Sequence, residues 1–438
     1  MATDPSSIFD RCYERALSAG HPAESHTDQS AESHTDQSAK SNAGHPAGHP
    51  ADHSAERGAA PKAGGVLAGL RVLETATVLA GPAVGMFLAE CGARVLKLEP
   101  PTGDVTRQWT LPEENPSQGR SAYFCSVNWG KASLQSHLNE PDEQAVFRLL
   151  LAEADLLISN NLPHQEKDLG LDWQVLHALN PRLIAARING YGSSSSRPGY
   201  DSLVQAESGY VSMNGPIGGP GHKMPVALMD VLAAHQLKEA LLLALLQRGQ
   251  DGMGREVRVS LLDAGLASLS NQATNWWMGG VEARPMGSEH PNIVPYGSTF
   301  RCHDGQWLTL AVGNNAQFEQ ACTALQIQPD PAWASPTGRL LDKANLLGQL
   351  QDCFARHGRA YWLEVLEAHR VPAAPVNDLS QALASPAALR LQLKDGPLYG
   401  LRTAVFEGVN GPNPPQNLAP PPAFPQHSLA DMARTLFS

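Results

Sequence analysis

The residues best placed for covalent chemistry in this chain are three aspartates beside glycine-rich loops, Asp104, Asp201 and Asp230. Asp230 closes the run Lys223-Met-Pro-Val-Ala-Leu-Met-Asp, where an apolar stretch meets the start of a predicted helix at Val231. Two roles fit that position. A carboxylate there can cap the helix by accepting backbone N–H bonds. It can equally be a nucleophile toward an activated acyl group, kept ionised by the helix terminus while apolar walls strip it of water. Asp201, in Pro198-Gly-Tyr-Asp-Ser-Leu-Val-Gln-Ala, reads as a loop residue bonded to its own backbone or as part of a site. Asp104, in Gly103-Asp-Val-Thr-Arg, reads as an Asx turn. No GxGxxG follows the first predicted strand, and GxxxxGK[ST], HExxH and GxSxG are absent. Ordinary dinucleotide, nucleotide, zincin and α/β-hydrolase chemistry therefore lacks its anchoring residues.

Such carboxylates need a rigid scaffold, and the pattern from Val66 onward supplies one. Short apolar runs punctuated by Gly and Pro alternate with helical stretches. A strand at 70–73, a helix at 83–90 and a strand at 94–98 have the spacing of a parallel βαβ unit. Further strands are predicted at 155–159 and 183–188, with a helix at 171–179 between them. Residues 190–225 read as a long glycine-rich irregular segment, of the kind that often carries function. A long buried helix at 231–246 and a strand at 256–261 follow. A hairpin about Asp304-Gly305 and helices at 317–325, 344–354 and 361–368 complete the pattern, before a Pro-rich tail from Pro412.

Residues 1–65 differ in kind. They contain the octapeptide ESHTDQSA twice in succession and Gly-His-Pro steps, with almost no large aliphatic side chains after Leu17. That composition cannot offset the entropy of ordering, so a disordered low-complexity tail is expected. Its histidines, His21, His26, His34, His45, His49 and His53, lack the fixed spacing of a metal site. Deleting residues 2–60 is expected to leave activity intact.

The whole chain has 438 residues, 42 % hydrophobic and 17 % charged, enough for a substantial core. With 32 Lys+Arg against 43 Asp+Glu, its net charge of −11 argues against nucleic-acid or anionic-membrane partners. The longest apolar run of note, at 240–246, is far shorter than the ~20 residues of a spanning helix. Six single cysteines without a CxxC pair suit free thiols in the cytoplasm better than disulfides or zinc, and no metal site is expected.

Several stretches carry a family resemblance. Leu67-Ala-Gly-Leu-Arg-Val-Leu-Glu, Ala80-Gly-Pro, Gly92-Ala-Arg-Val-Leu-Lys-Leu-Glu-Pro-Pro with Gly103-Asp104 and Arg107, and Asn180-Pro-Arg-Leu-Ile open the match. Tyr200-Asp-Ser-Leu-Val-Gln-Ala, the Asp230 segment, Gly252-Met-Gly-Arg-Glu-Val-Arg-Val-Ser-Leu-Leu-Asp and His290-Pro-Asn-Ile-Val-Pro-Tyr extend it, in order, to about Leu429. Together they resemble the family III CoA-transferases, which include formyl-CoA and carnitine-CoA transferases and the α-methylacyl-CoA racemases. The resemblance implies an α/β subunit with a Rossmann-like parallel-sheet large domain and a smaller α+β domain, two subunits forming an interlocked homodimer. In these terms 66–225 begins the CoA-binding domain, 226–285 links, 286–375 forms the small domain and 376–438 returns to the large one.

Asp230 matches the family's nucleophilic aspartate. Matching positions put Thr77, Val78, Leu79, Lys97, Arg107, Lys131, Asn160 and Lys167 near CoA, and Tyr200, Asp201, Gln205 and His290 in the acyl pocket. The substrates implied are an acyl-CoA and a small carboxylic acid, with no permanently bound cofactor. Racemases of the family carry Gly-His-Asp where this chain has Gly199-Tyr200-Asp201. A phenol of pKa ~10 replaces an imidazole poorly in α-proton exchange, which favours CoA transfer over racemisation. A third alternative is a CoA-binding protein without catalysis. Asn139 and Asp168 stand where formyl-CoA transferase has a lysine and an arginine, and its four-glycine loop is replaced by residues 287–296, which argues against formate or oxalate as substrates.

Overall fold

The computed structural model describes residues 7–20, 65–116, 118–406 and 418–437. Six strands form one wholly parallel sheet: β1 (Arg71–Glu74), β2 (Arg94–Glu99), β3 (Lys131–Gln135), β4 (Leu156–Ser159), β5 (Ile184–Asn189) and β6 (Glu256–Ser260). Their order across the sheet is β3-β2-β1-β4-β5-β6, so the chain reverses direction between β1 and β4. The period-2 alternation of strand side chains sorts the core into two layers. Val72, Val95, Ile158 and Ile188 face one apolar cluster, which includes helix α2 (Ala80–Glu90) and the long helix Leu228–Asp251. Leu73, Leu96, Leu134 and Leu157 face the other, with α3 (Pro141–Glu153) and the C-terminal helix Leu429–Phe437. A sheet covered on both faces explains why its central strands are almost continuously apolar.

Three antiparallel strands, β7 (Tyr296–Arg301), β8 (Trp307–Ala311) and β9 (Ala373–Pro375), carry a separate apolar core around Phe300, Leu308, Phe318, Phe354 and Trp362. The expected hairpin about Asp304-Gly305 is present. Two short strands, β10 (Gln392–Asp395) and β11 (Leu398–Leu401), pair antiparallel beyond it. All six cysteines are free and buried.

The expectation of an unstructured stretch through residue 65 is corrected at its start. Helix α1 (Ile8–Gly20) packs Phe9, Cys12 and Ala16 into the layer containing α3, and these side chains are buried. The Glu153 carboxylate, at the end of α3, accepts from the Ile8 and Phe9 amides and from the Ser7 hydroxyl. Asp10 pairs with Arg71 and Arg94, the first residues of β1 and β2. Residues 21–64, with the repeats and six histidines, lie outside the described residues. Removing residues 1–20 is therefore expected to lower stability by about 3 kcal/mol or more, chiefly by exposing the surface that Phe9 covers. Thermal denaturation and turnover of the truncated chain check this. Turnover should be unchanged, because α1 is fastened at the strand starts and the cleft described below lies at the strand ends.

Candidate active site

The loops that follow the parallel strands line one cleft of about 540 Å³ at the carboxyl edge of the sheet, where open α/β sheets bind ligands. Thr75 and Thr77–Ala80 follow β1, Pro100 and Pro101 follow β2, and Ser136–Asn139 follow β3. Asn160–Leu162 follow β4, and Asn189 ends β5. The loop after β1 is held from two sides. Asn160 accepts from the Thr77 amide at 3.2 Å and donates to the Thr77 carbonyl at 2.9 Å. Val78 has φ of 72°, a left-handed conformation unusual for a β-branched residue, and its amide lies 3.3 Å from the Asp104 carboxylate. The next residue, Leu79, stands at the cap position of α2 and offers no side-chain cap, so the Ala80 and Gly81 amides have no partner within the helix.

Asp104 belongs to a buried charge network that takes in three of the residues expected near CoA, Lys97, Arg107 and Lys131. Lys97 is fully buried, 3.1 Å from both Glu74 and Asp104. The Lys131 ammonium donates to both Glu74 oxygens, the Pro82 carbonyl and the Asn128 side chain. Arg107 grips Glu99 through two nitrogens and lies over the Phe124 ring. Burial pushes Lys131 down to about 8, against the pull of Glu74. Burial opposes ionisation of Asp104, but Lys97 and the Thr106 hydrogen bonds outweigh it and hold that carboxyl below its usual range. These cations are held by carboxylates of their own chain, and none of the three is in the cleft lining. Gly85 shows how closely the network is packed, since a Cβ there would lie 1.8 Å from a Glu74 oxygen. Lys167 is exposed and outside the cleft lining. Among the described residues, no lysine or arginine lines the cleft.

Asp230 lies in the cleft wall, on α5 (Leu228–Asp251). The helix begins at Leu228, three residues before the expected start, so Asp230 sits inside the first turn and does not cap it. The residue at the cap position, Ala227, has no side-chain acceptor. That function passes to Asp201, the first residue of α4 (Asp201–Glu207), whose Oδ1 accepts from the Met229 amide at 2.8 Å. Burial, with the neighbouring Asp201 charge acting in the same direction, pushes the Asp230 carboxyl up to about 7. Burial, and the charges of Asp230, Asp201 and Asp104 with it, raise the pKa of Tyr123.

The other expected pocket residues divide. Tyr200 lines the cleft and is 55 % exposed. Gln205 is fully buried behind Asp201 and does not line the cleft. His290 is also outside the lining: its Nδ1 accepts from the Asn292 amide and its ring meets Tyr296 edge-on. The segment 190–225, expected to be irregular, contains α4 and a second short helix, Tyr210–Met213. Sequence reasoning did not single out His137, Asn161 or Gln165, all of which line the cleft. Asn161 Oδ1 is buried without a partner. Its position just after the predicted strand at 155–159 was the signal that could have found Asn161.

A family model described as CoA-transferase family III matches residues 67–395. The succinate–glutarate CoA-transferase of Agrobacterium fabrum is 33 % identical over 84 % of this chain and 95 % of its own. The succinyl-CoA:glutarate CoA-transferase of Mus musculus is 31 % identical over 83 % of this chain and 84 % of its own. Among solved structures, a CAIB/BAIF family protein from Brucella suis superposes with a TM-score of 0.72 at 32 % identity, covering 85 % of this chain and 99 % of that one. Sheet order, cleft and a match across most of the chain agree, and the chain belongs to CoA-transferase family III, enzymes whose substrates are CoA thioesters.

Proposed function

We propose that this enzyme moves CoA from an acyl-CoA donor to a carboxylic acid, with Asp230 as the covalent carrier. The observation that carries the reading is a desolvated carboxylate, with another carboxylate as its charged neighbour, in the wall of a cleft at the strand ends. Asp230 attacks the donor thioester carbonyl, the C–S bond breaks, and a mixed anhydride forms with release of CoA thiolate. The thiolate then attacks the aspartyl carbonyl of the anhydride, freeing the donor acid and leaving an aspartyl-CoA thioester. An acceptor carboxylate attacks that thioester, releasing the thiolate and forming a second anhydride. Thiolate attack on the acceptor's acyl carbon gives the new acyl-CoA and restores Asp230. Each intermediate keeps the donor's activation, and each needs water excluded.

The Thr77–Leu79 loop, Asn160 and Asn161 are read as contacts to the pantetheine arm, Asn161 Oδ1 accepting an amide N–H. The Ala80 and Gly81 amides at the start of α2 suit a developing oxyanion. His137 in the cleft lining, and Lys167, two residues from the lining residues Gln165 and Leu169, are read as the contacts to CoA phosphate. Relatives named for succinate and glutarate support short dicarboxylic acids as substrates. The working unit is read as a cytoplasmic interlocked homodimer whose second copy covers exposed Trp276, Trp277 and Met278.

Incubation with succinyl-CoA and a pool of dicarboxylic acids, followed by mass spectrometry of the CoA esters and the Asp230 peptide, tests the reading. With an acceptor carrying two 18O atoms, one label should remain on Asp230 after a single turnover. Exchange of α-hydrogen with D2O in the absence of acceptor would point to a racemase and sink the transfer reading. Because attack needs the ionised carboxylate and Asp230 titrates at about 7, kcat/KM for the donor should rise about tenfold per pH unit below that value and level off above it.

A further inference from the structure

We propose that Asp201 is a positioning residue for Asp230, its single carboxylate fixing both the start of the helix that carries Asp230 and the segment leading into it. This rests on the reading of Asp230 as carrier and adds how this chain aims it. Both Asp201 oxygens are engaged. Oδ1 accepts from the Met229 amide at 2.8 Å, and Oδ2 accepts from Gln205 Nε2 at 2.7 Å. Gln205 is fully buried, and its Oε1 accepts from the Met224 amide at 2.7 Å. The same Nε2 lies 3.4 Å from the Met224 carbonyl and 3.3 Å from that of Val226. The pair thus binds four backbone groups across Met224–Met229, while the residue at the cap position, Ala227, offers no side-chain acceptor.

Met229 is fixed through its side chain as well. It is fully buried, its sulfur lies 3.7 Å from Ser208 Oγ, and it packs so closely on Gly265 that a Cβ there would fall 2.7 Å away. The residue immediately before the carrier therefore has neither backbone nor side-chain freedom. A carboxylate that must attack a thioester, and then hold an anhydride in line for thiolate return, gains from such a fixed Cα. The titratable groups that interact electrostatically with Asp230 are Asp201 from α4 and Tyr123 from the short helix Ala122–Cys125, with Tyr200 also lining the cleft. On the carrier's own helix, His235 and Lys238 face Glu239 and Glu90. Asp201 thus presents Asp230 with a like charge as well as anchoring its helix.

The test combines three readouts on Asp201→Ala and Asp201→Asn: amide hydrogen exchange at Met229, kcat and KM for acyl-CoA, and the acidic limb of the pH profile. Asparagine keeps an acceptor for the Met229 amide and removes the charge. Asp201→Ala is expected to speed exchange at Met229 and to lower kcat about 100-fold, with KM within about threefold. Asp201→Asn should keep Met229 protected, recover most of the lost kcat and move the acidic limb to lower pH. Two outcomes would overturn the proposal. In one, asparagine is as inactive as alanine with Met229 still protected in both, which makes Asp201 a group acting on substrate. In the other, Met229 exchange and kcat are untouched by alanine. Exchange does not depend on turnover, so a wild-type protein that transfers no CoA would overturn the transfer reading alone, and Met229 protection would still decide the anchoring.

Discussion

Asp230→Asn is expected to lower CoA transfer at least about 10,000-fold while leaving the fold intact, because an amide cannot form the anhydride. The stability change should run opposite to the loss of activity. The Asp230 carboxyl is pushed up to about 7 in the folded chain, above its ordinary value of 3.8. A carboxyl raised on folding contributes its full stability only below its unfolded pKa, and that contribution is lost as pH rises through the folded value. The wild type should therefore lose stability relative to the asparagine variant between about pH 4 and pH 7, to a limit of about 4 kcal/mol. Thermal denaturation at pH 4 and pH 8 reads this directly. If Asp230 capped its helix, asparagine would match the wild type and alanine alone would be weaker. Its place inside the first turn removes that expectation. Substantial turnover by Asp230→Asn would refute the carrier assignment.

The second large effect is expected at Glu74, at the end of β1. Its carboxylate is fully buried and is shared by Lys97 and Lys131. Neutralising one member of a buried ion cluster leaves uncompensated charge, so Glu74→Gln should cost about 3–5 kcal/mol. The double variant Glu74→Gln, Lys131→Met should lose less than the sum of the single changes, because it removes a charge of each sign. Denaturant unfolding of the four proteins measures the coupling, and additive losses would mean that the two residues do not interact. Lys97 links Glu74 to Asp104, and Asp104 holds the Val78 amide. Glu74→Gln is therefore also expected to raise KM for acyl-CoA through movement of the loop after β1.

Legibility of the sequence followed how local each interaction is. The apolar runs of β1, β2, β4 and β5 announced a parallel sheet because each strand is covered on both faces. Strand β3 escaped notice: Lys131 and Ser133 interrupt its apolar pattern, and both bond to buried carboxylates that only the fold brings near. Helix α1 was hidden by its neighbourhood, although Phe9, Cys12, Tyr13 and Ala16 stand at the spacing of one helical face. The early start of α5 could not be read locally, since its acceptor is on another helix 28 residues earlier. The same limit hid the partners of Lys97, Arg107 and Lys131: a cation in a sequence looks equally ready for a phosphate or for a carboxylate of its own chain. The place of Asp230 in the cleft wall was foreshadowed because an ionisable group ending an apolar run beside a helix is unusual in itself.

The concealment of every cysteine has a chemical consequence for a protein that handles thioesters. Acyl groups pass readily from one sulfur to another, but the attacking species is the thiolate. Burial raises all six thiols, Cys12 to about 12 and Cys91 and Cys125 to about 11. At neutral pH a thiol of pKa near 11 is ionised only about one part in ten thousand. The folded enzyme is thus protected from S-acylation by its own substrates, and an acyl mark found on the native chain can be attributed to an oxygen or amine nucleophile and not to a thiol.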